Sequence, residues 1–205
     1  MTEKERMEKG LIYDPCDPEL AREQAARLEL LYDYNATRPG DLAAREALLR
    51  KMFGHIGKGC YIEPPFHANW AGKNVFFGDY VYANFNLTLV DDAAIYVGDR
   101  VLFGPNVTVA TANHPILPQL REKGLQYNRP VRIGNNVWIG AGVVIVPGVT
   151  IGDNTVIGAG SVVSRDIPAN VVAFGNPCRV IREIGERDRA YYYKNEKIDW
   201  DELGK

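Results

Sequence analysis

The chain has 205 residues, 46% of them hydrophobic and 24% charged, with a formal net charge of -2. Such a balance suits one globular core and offers no basic face, so nucleic acid is not an expected partner. No apolar run reaches the roughly 18 residues needed to cross a membrane, and the charged first nine residues do not make a signal peptide.

Residues 1–10 are dominated by charge and are expected to form a short helix. Asp17-Pro18-Glu19 opens a stronger one, with an acceptor at the N-cap, proline in the first turn and an acid near the positive end. Ala21, Ala25, Leu28 and Tyr32 supply an apolar stripe that carries this helix to about Asn35. Arg38-Pro39-Gly40 breaks it. Asp41 then caps a further helix, with Leu42, Leu48, Leu49, Met52 and Phe53 expected to face inward and Gly54 to close it. Residues 1–55 read as a helical cap segment.

From Ile56 the period changes. Ile56, Ile62, Phe77, Ala83, Leu89, Val97, Phe103 and Val109 mark a loose register of six. The register becomes strict at Ile133, Ile139, Ile145, Ile151, Ile157 and Val163, each but Ile145 and Val163 followed by glycine. Four places after each isoleucine stands Val137, Val143, Val149, Thr155 or Ser161. The place before that is Asn136, Gly142, Gly148, Asn154 or Gly160, residues that tolerate positive φ. Helical spacing is absent. Short strands with a corner in every hexad describe a parallel β-helix over residues 56–168. Spacing alone does not set its hand, since crossovers are normally right-handed.

The register breaks at residues 115–130, an inserted loop expected to serve function. Winding is expected to stop at Pro168, leaving residues 169–205 as a C-terminal extension. Its Tyr191, Tyr192, Tyr193 and Trp200 are expected to pack on the coil or on a neighbour. Cys16, Cys60 and Cys178 are scattered and odd in number, which fits a reducing compartment and a cytoplasmic address.

Only three histidines are present. His55, His67 and His114 show no metal-ligand spacing, and no metal is expected. His114 sits just before the long loop and reads either as an exposed turn residue or as a base. Asn84, Asn86, Asp91 and Asp92 could be corner residues. Equally, layers about 4.8 Å apart would stack them one or two turns from the imidazole, the parts needed to take a proton from a hydroxyl. The sequence holds no Gly-x-Ser-x-Gly elbow and no phosphate loop, which favours direct transfer over a covalent enzyme intermediate.

The hexads, together with the runs Tyr82–Asp92, Thr111–Pro115, Asn136–Ala141 and Gly175–Arg182, resemble the hexapeptide-repeat acyltransferases of the galactoside and maltose O-acetyltransferase type over nearly the whole chain. That resemblance implies a mainly β fold, a left-handed parallel β-helix, assembled as a homotrimer with each active site between neighbouring coils. It implies acetyl-CoA as cosubstrate and a sugar hydroxyl as acceptor. His114 would be the general base, Ala141 the backbone oxyanion donor and Asn84 an acceptor-site partner. Asp14, Arg22, Tyr82 and Asp92 match sugar-binding positions. Trp138, Ala141, Ala159, Ser164, Arg165, Arg179 and Arg182 match the coenzyme A groove. The chain departs from the pattern at Phe66–Gly72, where Asn69 or Trp70 replaces a serine or aspartate contact, and at Gln126, where a galactoside enzyme has an apolar residue. Both departures bear on which sugar is taken. A xenobiotic or amine acceptor on the same scaffold is the alternative, and a non-enzymatic display coil is disfavoured by the interrupting loop.

Overall fold

Each hexad supplies a strand of two or three residues and a corner, and three hexads close one triangular turn. Arg132 pairs in parallel with Thr150, Trp138 with Val156 and Val144 with Val162. The computed structural model describes residues 1–204. Its first face stacks His55–Ile56, Val75–Phe77, Ile95–Val97, Val131–Ile133 and Thr150–Ile151. The second stacks Tyr61–Ile62, Tyr82–Ala83, Leu102–Phe103, Trp138–Ile139, Val156–Ile157 and Val171–Phe174. The third stacks His67–Ala68, Thr88–Val90, Thr108–Ala110, Val144–Ile145 and Val162–Val163.

Inward residues alternate with outward ones along every strand, so the prism fills with Phe77, Ala83, Leu89, Val97, Phe103, Val109, Ile139 and Ile145, all at most 4% exposed. The fourth place of each strict hexad takes the left-handed conformation that the sequence predicts, from Asn136 (φ 54°) to Gly148 (φ 86°). Amides at these corners link successive turns: Asn136 Nδ2 donates to Asn154 at 3.0 Å, and Asn154 Nδ2 to Asn170 at 2.9 Å. Buried Thr155 and Ser161 satisfy their hydroxyls on the Pro168 and Gly158 carbonyls.

Three helices precede the coil: α1 (Glu3–Glu8), α2 (Pro18–Asn35) and α3 (Leu42–Met52). The Asp17 side chain caps α2 by accepting from the Glu19 and Leu20 amides. Leu31, Tyr34, Leu49, Met52 and Phe53 join Ile56, Ile62 and Phe66 in one core, covering the open first turn. The Tyr34 hydroxyl donates to the Ile62 carbonyl at 2.6 Å. A smaller core of Met7, Tyr13, Leu20 and Trp70 packs the first segment against the coil.

Three expectations need correcting. The buried face of α2 is Leu20, Leu31 and Tyr34, while Ala21, Ala25, Leu28 and Tyr32 are exposed. Between them Gln24 and Arg27 reach the Asn69 and Lys51 carbonyls, so long polar side chains occupy a face that hydrophobicity misses. On α3 the inward place expected for Leu42 goes to Arg45, whose guanidinium bonds Thr37 and the Tyr61 hydroxyl. Winding does not stop at Pro168: Ile167 bridges Ile151, and Val172 pairs in parallel with Val156, because a proline at a corner forfeits no ladder bond. Only then does Arg179–Glu183 fold back antiparallel on Val171–Phe174. Of the two places expected for the tail aromatics, Tyr192, Tyr193 and Trp200 do not take the coil: they stand exposed beyond that hairpin, open to a neighbour.

Candidate active site

The inserted loop leaves the coil where the third face turns toward the first, the 3–1 edge. It is more ordered than its lack of hexads suggests. Pro118–Arg121 forms a helical turn, and Tyr127–Asn128 returns antiparallel to Ala112–Asn113. His114 therefore stands at the mouth of a short hairpin, exposed to solvent. Its Nδ1 lies 2.8 Å from the Leu125 carbonyl. A carbonyl only accepts, so Nδ1 carries the proton, and in the neutral ring Nε2 is the nitrogen with the lone pair.

Asp91 and Asp92 occupy the same edge one turn below, with different duties. Asp91 is fully buried, and its carboxylate accepts from the Trp70 and Gly72 amides at 2.7 and 3.0 Å. Burial pushes its pKa up to about 6. It is a turn anchor. Asp92 accepts from Asn69 Nδ2 (2.9 Å), Gln126 Nε2 (3.2 Å) and Trp70 Nε1 (3.4 Å). Asn69 and Trp70, between which the sequence leaves the choice open, thus meet the same carboxylate. Asp14 stays near this edge because Tyr13 bridges Gln126, and its carboxylate takes the Cys16 amide. Ser164 and Arg165 follow the third-face strand Val162–Val163 on the same edge, two turns above His114, both exposed.

The other matched residues lie elsewhere. Asn84, Ala141 and Ala159 line the 2–3 edge, where the second face turns into the third. Tyr82 and Trp138 point outward on the adjoining second face. Stacking one or two turns away was expected to bring Asn84 beside His114, and within one chain it does not: the two occupy different edges of the prism. None of the concavities described among residues 1–204 includes His114 in its lining. Arg22 stands exposed on α2, away from that edge's hydrogen bonds.

Ala141 has a property its column explains. Its neighbours are tied, Gly140 N–H to the Ile157 carbonyl and Gly142 N–H to that of Pro105. The equivalent residue two turns down, Phe85, gives its amide to Asn84 Oδ1, and the one between is Pro105, which has none. Ala141 is exposed, and its N–H meets no acceptor among the described residues. Such a donor is available to a developing negative charge. Above it, Arg179 and Arg182 lie on the returning hairpin. Arg182 is paired with Asp188 through two bonds of 2.6 and 2.7 Å, which hold the Asp188 carboxyl down at about 2.

Sequence reasoning did not find Tyr13 and Asn128, whose polar groups meet Gln126 in the buried cluster around Asp92. Burial raises the Tyr13 phenol to about 12, so it stays a neutral hydroxyl. Contact across more than a hundred residues leaves no periodic signal; only the placing of polar Gln126 in the loop hinted at it.

Residues 6–57 match the maltose acetyltransferase hexapeptide capping motif, and residues 130–165 match the bacterial transferase hexapeptide (six repeats). The chain is 54% identical to the galactoside O-acetyltransferase of Lactococcus lactis, over 94% of this chain and 93% of that one. It superposes on a galactoside acetyltransferase solved in complex with coenzyme A with a TM-score of 0.93, at 47% identity, covering 97% and 99% of the two chains. A maltose O-acetyltransferase from Clostridium difficile superposes with a TM-score of 0.88, also at 47% identity, over 91% and 99%.

Proposed function

Since this chain belongs to the hexapeptide-repeat acetyltransferases of the galactoside and maltose O-acetyltransferase type, we propose that it transfers an acetyl group from acetyl-CoA to a sugar hydroxyl, directly and with His114 as base. The observation that carries this reading is the Leu125 carbonyl on His114 Nδ1, which leaves Nε2 as the proton acceptor. Acetyl-CoA supplies an activated thioester carbonyl. His114 Nε2 takes the proton of the sugar hydroxyl as its oxygen attacks that carbonyl, and the Ala141 N–H receives the charge that builds on the carbonyl oxygen. The proton returns to the departing thiolate.

A covalent enzyme intermediate is not invoked. Burial raises the thiols of Cys60 and Cys178, which makes them poor nucleophiles, and all three cysteines are free. Free thiols also support a cytoplasmic address. Trp138, Ala159, Ser164, Arg165, Arg179 and Arg182 are the groups we assign to coenzyme A, cations for its phosphates and an indole for its flat or apolar parts. Asp14, Arg22, Tyr82, Asn84 and Asp92 are assigned to the acceptor.

A homotrimer follows from the same reading. His114, Asp92, Ser164 and Arg165 lie on one edge, and Asn84, Ala141, Ala159 and Trp138 lie on or beside another. A threefold ring sets the first edge of each chain against the second edge of the next, completing a site from two halves. Incubation with acetyl-CoA and a panel of galactosides, maltose, glucose and amine-bearing antibiotics tests the proposal. O-acetylated sugar is the expected product. Transfer to amines alone, or to nothing, overturns it.

A further inference from the structure

Leu125, whose carbonyl accepts from His114, lies in the loop and belongs to no rung of the coil, so something else must hold it. The next residue does. Gln126 exchanges both backbone hydrogen bonds with Tyr13, at 2.9 and 3.0 Å. The Tyr13 hydroxyl then receives two side-chain amides from the same return strand, Gln126 Nε2 at 2.6 Å and Asn128 Nδ2 at 3.1 Å. One phenol thus ties the strand at two points. Tyr13 is itself fixed: 2% exposed, its ring lies among Met7, Leu20 and Trp70. The backbone beside it is held from α1 and from the loop. Arg6 Nε donates to the Ile12 carbonyl at 2.6 Å, the Asp14 amide to Glu3 at 2.6 Å, and Arg129 to the Gly10 carbonyl at 2.9 Å.

We propose that Tyr13 is a positioning residue for His114: its bridge to Gln126 and its hydroxyl, on which the Gln126 and Asn128 amides converge, hold the Leu125 carbonyl against His114 Nδ1. This rests on the reading of His114 as the base. Removing the phenolic oxygen leaves two buried amides competing for the acceptors that remain. The return strand then shifts, the Leu125 carbonyl no longer selects one tautomer, and the share of rings with a free Nε2 falls.

The test is Tyr13→Phe in the full-length protein, read by nitrogen NMR of the His114 ring without substrate and by steady-state kinetics. Expected are a parent ring protonated at Nδ1, a variant ring with mixed tautomers, kcat lowered about tenfold and an unchanged KM for acetyl-CoA. Asn128→Ala, which keeps the tyrosine, should give the same change more weakly, and serves if Tyr13→Phe does not fold. A parent-like ring in the variants overturns the proposal, as does a loss confined to melting temperature. A Tyr13-dependent tautomer in a protein that acetylates no acceptor supports the positioning and instead sinks the catalytic role of His114.

Discussion

The Gly104 α-carbon faces the backbone nitrogen of Ala141 so closely that a β-carbon added at Gly104 would lie 2.7 Å from it. That approach is backbone against backbone across one turn, and no rotamer can relieve it. Gly104→Ala should therefore push Ala141 outward, costing roughly 1–3 kcal/mol of stability. It should also lower kcat, because a displaced amide no longer meets the oxygen on which charge builds. Thermal melting and acetyl-transfer rates check the pair. Parent kinetics in a folded Gly104→Ala variant would remove Ala141 from the mechanism.

His114→Ala should keep the fold, since the ring is exposed and its one bond is to a loop carbonyl. Turnover should fall by roughly 10²–10⁴, the usual worth of a general base. Coenzyme A binding, followed by calorimetry, should stay at the parent affinity. A rate near the parent's would return His114 to the status of a turn residue.

The proposed division of the site between two edges makes a different prediction. His114→Ala and Asn84→Ala should each be weak alone. Denatured together in equal amounts and refolded, they should regain about a quarter of parent activity, the chance that a site draws its two intact edges from opposite variants. Refolded separately, neither should recover. Absence of recovery in mixed assemblies of proven trimeric mass would place both residues in one chain's site.

Much of this was legible in the sequence, and the boundary is physical. The strict hexads predicted their rungs, and Asn136, Gly142, Gly148, Asn154 and Gly160 their corners, because each place in the period has one steric role. Which edge carries Asn84 and which carries His114 was harder. Extra residues at the 3–1 edge, 69–74 and 91–94, break the count of hexads, so a rung can be identified while its side of the triangle is lost. The buried face of α2 was missed because Gln24 and Arg27 hide polar heads on apolar stems.

Glu23 is pinned between Lys4, at 2.8 Å, and Lys73. These two lysines pull its pKa from 4.5 down to about 2. A depressed carboxylate stabilises the fold above its unfolded value and ceases to do so as pH falls through the folded one. Glu23→Gln should thus cost ~1 kcal/mol near neutrality, a value moderated by partial exposure. The gap from the parent should close as pH drops from about 4.5 to about 2. Urea titrations across that range test it, and a pH-independent gap would count against the ion triad.

The corner amides from Asn136 to Asn170 have a consequence for how such a chain can change in length. Slip the count by one residue anywhere between 131 and 165, and every side chain meant for the interior turns to water while the left-handed places receive residues that cannot adopt them. Growth or loss is therefore quantised, three hexads at a time. The exception is the edge after the third face, where residues 115–130 already depart and rejoin between Thr111 and Val131. Variation among descendants of this chain should collect there, beside the histidine, which leaves the prism invariant while the mouth of the site is free to be rewritten.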